Sequence, residues 1–339
     1  MQISHSKFTE FTALKNTVPS MVFAPEKETL EAWQTKAEEK LKELLGLPCK
    51  KCDLLFDKEY EKDLEKCTEI RFTFQSEEGE FVPAVMWLPK KTCCEKPPVM
   101  ICLQGHGLGM HVSFGIIKYE GEEGDPEGGD RDFAVQCINN GIAAVAIDQR
   151  CFGERGGTPK PDCYTSSMTA LLAGRTTIGG RVWDVMKLID VLENEFSEVL
   201  DTEKIYCMGN SGGGTATFYA TALEKRIKAA IPSCAFATFY GSIGIMYHCA
   251  CNFVPGIAKY FDMAEIAGLI APRPLVIVSG KEDRIFPLDT AEHEFSRLKD
   301  IYYKNCVSPE NCIHIKGHEG HRFYAVPAWD AFKKLLNYK

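Results

Sequence analysis

A serine lies in a sequence context that could make it a nucleophile. Residues 209–213 read Gly-Asn-Ser-Gly-Gly, after the apolar run Ile205 to Met208 and before a helix-like segment, Thr215 to Leu223. This order predicts a strand, a tight turn and a helix, with Ser211 exposed at the turn. Flanking glycines let strand and helix approach closely, because they lack a Cβ atom that would clash. Ser211 is therefore the predicted nucleophile.

A serine hydroxyl needs a base to remove its proton, and the base works best when a carboxylate orients it. The acidic residue is expected at the carboxyl end of a later strand, where ligands bind in open parallel sheets. The segment Gly280 to Pro287 directly follows the apolar run Leu275 to Ser279. It contains Asp283, which is the predicted acid, and Glu282, which remains the alternative.

The base is expected after the last strand of the chain. The segment Lys316 to Phe323 follows the apolar run Cys312 to Ile315 and contains two histidines. His321 is favoured because it follows a glycine at a loop distance suited to returning over the turn that bears the serine. His318 remains the alternative base. If His321 is the base, His318 is a surface residue or one that supports the base.

An acyl-transfer site also needs two backbone donors for the oxyanion, one of them from the residue after the nucleophile. Gly212 supplies the first. The second is expected from residues 104–108, which follow the apolar run Val99 to Leu103. The glycines of that segment permit an amide to point inward, and we assign the second donor to Leu108 or Gly107.

These segments require a scaffold of strands and helices. Apolar residues at helical spacing predict an N-terminal helix over 28–47 and a second helix over 181–196. Short apolar runs alternate with helical segments, which predicts a mostly parallel sheet covered on both faces. We expect residues 1–67 to form a helical extension and residues 68–339 the catalytic domain, with an apolar loop at about 235–258 near the site.

Composition narrows the function classes. The 39 Lys and Arg residues against 47 Asp and Glu give a net charge of −8, which disfavours nucleic acid and anionic membranes as partners. Fifteen scattered cysteines and an N-terminus without a long apolar stretch favour a reducing, cytoplasmic location. A small molecule is the expected partner, and the sequence leaves a homo-oligomer open.

Two cysteine clusters raise the question of metal binding. They are the segments Cys49 to Cys52 and His248 to Cys251. A structural zinc site usually takes four ligands from two paired knuckles, and neither segment has a second half at the required spacing. We therefore expect no metal and no cofactor. His106 is expected to form hydrogen bonds within its own loop.

The ordered motifs resemble a known group of enzymes. They are Gly105-His106-Gly107, Asp148-Gln149-Arg150, Gly209-Asn210-Ser211-Gly212-Gly213, Ala271-Pro272-Arg273-Pro274 with Asp283, and Gly320-His321-Arg322-Phe323-Tyr324. Together they resemble the dienelactone hydrolase and acetyl xylan esterase branch of the α/β-hydrolases. The resemblance implies the α/β-hydrolase fold and a triad of Ser211, Asp283 and His321.

The resemblance departs from the family pattern at one position that bears on substrate. Acetyl xylan and cephalosporin deacetylases usually carry glutamine after the nucleophile, where this chain has Gly212. Dienelactone hydrolases proper use cysteine as the nucleophile. The expected activity is therefore hydrolysis of a carboxylic ester, with a short-acyl or acetyl ester as one form. A serine peptidase of the prolyl oligopeptidase type and a non-catalytic binding scaffold remain the alternatives.

Overall fold

A single sheet organises the chain. The computed structural model describes residues 9–92, 94–106, 109–120, 129–156 and 162–338. These residues form a sheet of nine strands. The strands are β1 (Asp57–Asp63), β2 (Cys67–Glu77), β3 (Glu80–Pro89), β4 (Val99–Leu103), β5 (Ala143–Ile147), β6 (Ile205–Asn210), β7 (Ile227–Ser233), β8 (Leu275–Gly280) and β9 (Cys312–Gly317).

The strand order is β1-β2-β3-β5-β4-β6-β7-β8-β9. Strands β1, β2, β3 and β5 pair antiparallel, whereas all pairs from β5 to β9 are parallel. The strand that follows β4 in the chain, β5, lies on one side of β4, and the next strand, β6, lies on its other side. A topological switch point therefore lies between β4 and β6. Ligands bind in the crevice at such a point, outside the carboxyl ends of the strands. The predicted mostly parallel sheet is confirmed.

Helices connect the parallel strands. The described residues contain α1 (Thr9–Lys15), α2 (Leu30–Leu45), α3 (Phe133–Asn139), α4 (Cys163–Leu172), α5 (Thr177–Glu195), α6 (Gly212–Leu223), α7 (Met263–Gly268), α8 (Leu288–Arg297) and α9 (Ala325–Leu336). Parallel strands need such crossovers, and the helices cover the sheet because their apolar faces must be buried.

Helix α2 shows how local sequence sets an element. The Thr29 hydroxyl accepts a hydrogen bond from the Ala32 amide, and Gly46 ends the helix in the left-handed conformation at φ 74°. Its apolar stripe, which includes Trp33 and Leu41, is buried in the same core as the sheet. The helix that the sequence predicts over 28–47 is therefore present, and its two caps limit it to Leu30–Leu45.

The N-terminal region contributes more than helices. Residues 57–63, which lie inside the predicted helical extension, form the edge strand β1 and pair with β2. All seven residues of β1 are exposed and six of them are charged. The apolar periodicity that predicts strands is absent from such a segment, because neither of its faces is buried. The sheet thus extends across the boundary at residue 67.

The uncharged stretch between Lys228 and Lys259 continues from β7 into irregular structure with two short 3-10 helices, Ala250–Asn252 and Ile257–Lys259. Within the described ranges, the structure contains no helix that is both long and apolar enough to cross a membrane.

Candidate active site

Ser211 occupies a strained turn between β6 and α6. Its backbone dihedral angles are φ 57° and ψ −122°, which few non-glycine residues adopt and which functional sites often contain. Its amide donates to the Ser233 carbonyl at 2.9 Å, and its own carbonyl accepts from the Thr215 amide at 2.8 Å. These bonds hold the turn at the carboxyl end of the central strand of the parallel region.

The glycines around Ser211 are required by packing. A Cβ atom on Gly213 would lie 1.9 Å from the Leu103 carbonyl oxygen, and one on Gly209 would lie 2.5 Å from the Gly213 carbonyl oxygen. Both distances are far below van der Waals contact. The glycine pattern therefore allows α6 to begin directly against β4 and β6.

Asp283 and His321 are joined although they follow different strands. Asp283 Oδ2 and His321 Nδ1 lie 2.8 Å apart, and Asp283 Oδ1 accepts from the amides of Ile285 at 2.8 Å and Phe286 at 3.0 Å. Burial raises the pKa of Asp283, but the hydrogen bonds from His321 and the two amides outweigh it, so the pKa lies below its usual value. The carboxylate is thus ionised and fixes Nδ1 of the imidazole as the protonated nitrogen.

The other ring nitrogen of His321 is left open. Nε2 is buried and has no hydrogen-bond partner in the part of the chain that the structure describes. The loop that bears it touches the serine turn, because the Arg322 carbonyl accepts from Ser233 Oγ at 3.5 Å and Ser233 holds the Ser211 amide. The described residues show no hydrogen bond from Ser211 Oγ to Nε2. Such bonds are often long without substrate and tighten when it binds.

The two alternative residues lie elsewhere. The His318 side chain is 83% exposed; its Nε2 lies 3.3 Å from Glu319 Oε1, and its ring centroid lies 5.8 Å from that of Tyr324. Glu282 is exposed, whereas its neighbour Asp283 is buried. The geometry therefore favours Asp283 and His321 over Glu282 and His318, and their catalytic roles are proposed below.

The oxyanion side of the site is described in part. Gly212 is the first residue of α6, so its amide has no acceptor within the helix. Gly107 and Leu108, the predicted second donors, lie outside the described residues. The preceding residues pack on the serine turn, since a Cβ atom on Gly105 would lie 2.9 Å from the Asn210 carbonyl oxygen. Gln149 Nε2 donates to the Gln104 carbonyl at 2.7 Å, which holds the start of the same loop.

His106 fills the space beside Gly212. A Cβ atom on Gly212 would lie 2.7 Å from both Nδ1 and Cε1 of the His106 ring. This contact gives a steric reason for glycine at a position where the related deacetylases usually carry glutamine. The sequence predicted that His106 bonds within its own loop, but among the described residues its Nε2 lies 3.1 Å from Cys251 Sγ, outside that loop.

Buried ion pairs support this edge of the sheet. Asp184, on α5, accepts from Arg155 Nη1 at 2.6 Å and from Arg150 Nε at 3.0 Å and Nη2 at 2.9 Å. Burial raises the pKa of Asp184, but the two guanidinium groups hold it well below its usual value. Sequence analysis missed Asp184, and its only signal was a charge within the apolar stripe of a helix.

The uncharged segment after β7 reaches both halves of the site. His248 Nε2 lies 3.0 Å from Ser242 Oγ and 3.2 Å from the Ile285 carbonyl oxygen, beside the loop of Asp283. Burial lowers the pKa of His248. Further along, Cys251 contacts His106. The segment therefore lies against the loop that bears Asp283 and the loop that bears His106.

Strand order, a strained serine at the turn after β6, and an Asp and His pair after β8 and β9 together define an α/β-hydrolase. Comparison with known proteins agrees. The profile of the prolyl oligopeptidase family matches residues 173–337, which include β6 to β9. The chain has the α/β-hydrolase fold.

Two sequence relatives and one solved structure illustrate the similarity. "Putative hydrolase YtaP" of Bacillus subtilis (strain 168) is 29% identical over 226 residues, 66% of this chain and 72% of that protein. A 4-O-methyl-glucuronoyl methylesterase of Phanerochaete carnosa (strain HHB-10118-sp) is 30% identical over 169 residues, 41% of this chain and 40% of that protein. The crystal structure of a putative acetyl xylan esterase from Bacteroides fragilis NCTC 9343 superimposes with a TM-score of 0.77 at 16% identity, over 93% of this chain and 83% of that one. This last likeness establishes the fold.

Proposed function

We propose that the protein is a serine esterase that hydrolyses a carboxylic ester through an acyl-enzyme. His321 Nε2 removes the proton of Ser211 Oγ as the oxygen attacks the ester carbonyl carbon. The Gly212 amide stabilises the oxyanion, together with an amide of Gly107 or Leu108. His321 then protonates the leaving alcohol, and a water molecule repeats the attack on the acyl-enzyme to regenerate the serine.

One observation carries the proposal. Asp283 holds Nδ1 of His321 at 2.8 Å, and Nε2 of the same ring is buried beside the turn of Ser211, with no partner in the described ranges of the chain. A buried polar atom without a partner costs about 1–3 kcal/mol, so a structural imidazole would normally bond through both nitrogens. An imidazole whose free nitrogen is reserved for a proton transfer accounts for that cost.

The names of the related proteins suggest two ester classes. One relative is named a methylesterase that acts on 4-O-methyl-glucuronoyl groups, and one structural neighbour is named an acetyl xylan esterase. We propose a short-acyl ester, with acetyl as the acyl group, because Gly212 and the adjacent His106 ring leave little room beside the oxyanion. A methyl ester of a uronic acid is the second candidate, supported by the methylesterase relative.

The peptidase alternative is supported by the prolyl oligopeptidase profile, but that match begins only at residue 173. The described residues before it form α1 to α4 and β1 to β5, in place of a large gating domain. We therefore favour ester over amide cleavage.

A matched substrate panel tests these readings. We expect turnover of p-nitrophenyl acetate that declines through the butyrate and octanoate esters, and no cleavage of an aminoacyl p-nitroanilide. A benzyl ester of glucuronic acid separates the second ester class from the first. Amide cleavage at a rate similar to ester cleavage would contradict the esterase proposal and favour the peptidase.

The Ser211→Ala variant supplies the control for the nucleophile. It should lose both turnover and labelling by a fluorophosphonate probe, whereas Ser242→Ala, which changes a buried serine outside the proposed triad, should keep the label. Labelling that persists in Ser211→Ala would refute the assignment. Absence of turnover and labelling in the folded wild-type protein would favour the binding scaffold.

We also propose a reducing, cytoplasmic location. The fourteen described cysteines are all free thiols, ten of them buried. Such a set is typical of proteins that fold where thiols stay reduced. Fractionation of cells that express the native chain tests the location.

A further inference from the structure

Four metal-binding side chains meet beside the nucleophile turn. His106, Cys163, Cys249 and Cys251, here called the Cys-His cluster, each offer one ligand atom, and these atoms all lie within 4.8 Å of one another. His106 Nε2 lies 3.1 Å from Cys251 Sγ, and Cys251 Sγ lies 3.4 Å from Cys249 Sγ. Cys163 and Cys251 are buried, 4% and 1% exposed. The cluster is thus a compact group of four soft donors.

The donor set and its dimensions suit a tetrahedral zinc ion. With Zn–S bonds of about 2.3 Å and a Zn–N bond of about 2.0 Å, tetrahedral geometry places sulfur atoms about 3.8 Å apart and nitrogen about 3.6 Å from sulfur. The contacts of Cys251 Sγ with His106 Nε2 and Cys249 Sγ are slightly shorter than these values, and the outer limit of 4.8 Å exceeds them by about 1 Å. Three cysteines and one histidine form a common ligand set of structural zinc sites.

A buried arginine indicates that negative charge is expected at the cluster. Arg181 is 1% exposed, and it donates through Nη1 to Cys251 Sγ at 3.3 Å and through Nη2 to Cys163 Sγ at 3.4 Å. Its remaining contacts are the Arg150 carbonyl and the face of the Phe152 ring, 4.2 Å from Cζ to the centroid. No carboxylate of the described residues lies within 4.0 Å of it.

The positive charge of Arg181 is compatible with three thiolates that share one divalent cation. A buried guanidinium without an anion is strongly unfavourable. Three thiolates and one Zn²⁺ carry a net charge of −1, and Arg181 neutralises it. Neutral thiols would leave the positive charge of Arg181 uncompensated, whereas three thiolates without a metal would leave two excess negative charges.

We propose that the Cys-His cluster binds one Zn²⁺ ion through Nε2 of His106 and the sulfur atoms of Cys163, Cys249 and Cys251. Binding releases the three thiol protons to solvent, and no electron transfer is involved. The ion joins the loop after β4, the first turn of α4 and the 3-10 helix Ala250–Asn252. It therefore fixes the loop that bears the predicted second oxyanion donor, and His106 acts as a positioning residue.

Spacing along the sequence does not reveal this site. The expectation of no metal was based on the spacing of local cysteine pairs, but His106 and Cys251 are 145 positions apart. Only Cys249 and Cys251 are close in sequence, and the pair Cys49 and Cys52 does not take part. Cys49 instead accepts from Arg175 Nη2 at 3.0 Å.

Metal content tests the proposal directly. The full chain is purified under reducing conditions from cells supplied with zinc, and bound metals are measured by inductively coupled plasma mass spectrometry. We expect about one zinc ion per chain in the wild type and less than about 0.1 in Cys251→Ser and Cys163→Ser. Cys52→Ser, a half-buried cysteine outside the cluster, should keep the full zinc content and serves as the matched control.

Cobalt substitution adds a readout that does not depend on yield or activity. Co²⁺ bound by three thiolates should show sulfur-to-cobalt charge-transfer absorption in the near ultraviolet and intense tetrahedral ligand-field bands in the visible range. Both should weaken in His106→Ala and disappear in Cys251→Ser.

Four results would overturn the proposal. They are a reduced wild-type chain that takes up less than about 0.1 zinc per chain, a zinc content that Cys52→Ser lowers and Cys251→Ser does not, an octahedral cobalt spectrum, and a disulfide within the cluster that forms in preference to metal binding. The Ser211→Ala variant should retain its zinc, so failure of the esterase proposal and failure of the zinc proposal are distinguishable.

Discussion

Two imidazoles border the nucleophile turn, and they differ in what holds them. His321 is held at Nδ1 by the carboxylate of Asp283, and its Nε2 has no partner among the described residues. His106 packs on Gly212, and its Nε2 faces the sulfur of Cys251. A carboxylate partner leaves one nitrogen basic and available, whereas a sulfur cluster occupies the nitrogen that would otherwise react. We therefore propose proton transfer for the imidazole on one side of Ser211 and loop anchoring for the one on the other side.

Three arginines that contact helix α5 or lie on it show a parallel difference in their partners. Arg150 and Arg155 share the buried carboxylate of Asp184, while Arg181, three residues before Asp184 on the same helix, faces thiols instead. Buried cations require compensation in either case. Arg150 and Arg155 face a carboxylate, which forms a structural ion pair. Arg181 faces sulfur atoms, which we propose as metal ligands.

Of the proposed variants, His321→Ala should have the largest effect on activity. We expect His321→Ala to lower kcat by about 10⁶-fold, because the variant lacks the proposed base. His318→Ala is the matched control and should change kcat less than about twofold, since that side chain is exposed. Steady-state kinetics on p-nitrophenyl acetate measure both. A loss in His318→Ala as large as in His321→Ala would reverse the assignment of the base.

Replacement of the carboxylate partner sharpens the contrast between the two imidazoles. Asp283→Asn should lower kcat by about 10⁴-fold, because an amide no longer fixes the tautomer or stabilises the imidazolium. Glu282→Gln, at an exposed neighbouring position, should remain within about twofold of the wild type. Equal losses in the two variants would show that the acid has been misassigned.

Asp184 tests the carboxylate that supports Arg150 and Arg155. Asp184→Asn should lower the free energy of unfolding by about 3 kcal/mol at pH 7, because it removes the buried anion that two guanidinium groups share, while Arg150 keeps Glu77 and Arg155 keeps Glu80. Chemical denaturation measures the loss. Asp63→Asn, in the exposed pair with Lys90, should lower it by less than about 1 kcal/mol.

The same pair of variants gives a pH dependence. The folded-state pKa of Asp184 lies below its unfolded value of about 3.9, so the unfolded chain binds the proton more tightly. The stabilisation is present above the unfolded pKa and is lost as the pH falls through the folded pKa. The difference between wild type and Asp184→Asn should therefore narrow below about pH 4, and a difference that grows there would contradict the ion-pair account.

The smallest expected effect concerns the contact between His106 and Gly212. Gly212→Ala should lower kcat/KM by about 10- to 100-fold, because the new Cβ atom displaces the His106 ring or the oxyanion amide. Adding His106→Ala to this variant should recover part of the loss. A loss of the same size with and without the ring would show that Gly212 is required for another reason.

The strand pattern and the serine turn could be predicted because they depend on local sequence. Runs such as Val99 to Leu103 and Leu275 to Ser279 are apolar throughout, since parallel strands are buried on both faces, and each became a strand with nearly the predicted bounds. The edge strand β1 escaped prediction because its exposed, charged residues carry no such signal. The catalytic roles of Ser211, Asp283 and His321 stay predictions until the variants are measured.

The sequence by itself determined where the chain forms strands, where it turns, and which residue types are available at the ends of those strands. Only the tertiary structure decided which of these residues meet. The carboxyl ends of parallel strands converge on one edge whatever their distance along the chain, and this convergence pairs Asp283 with His321 and brings His106 to three cysteines. Local periodicity is written in neighbouring residues, whereas contacts across that edge depend on strand order and on how closely glycines allow the elements to pack.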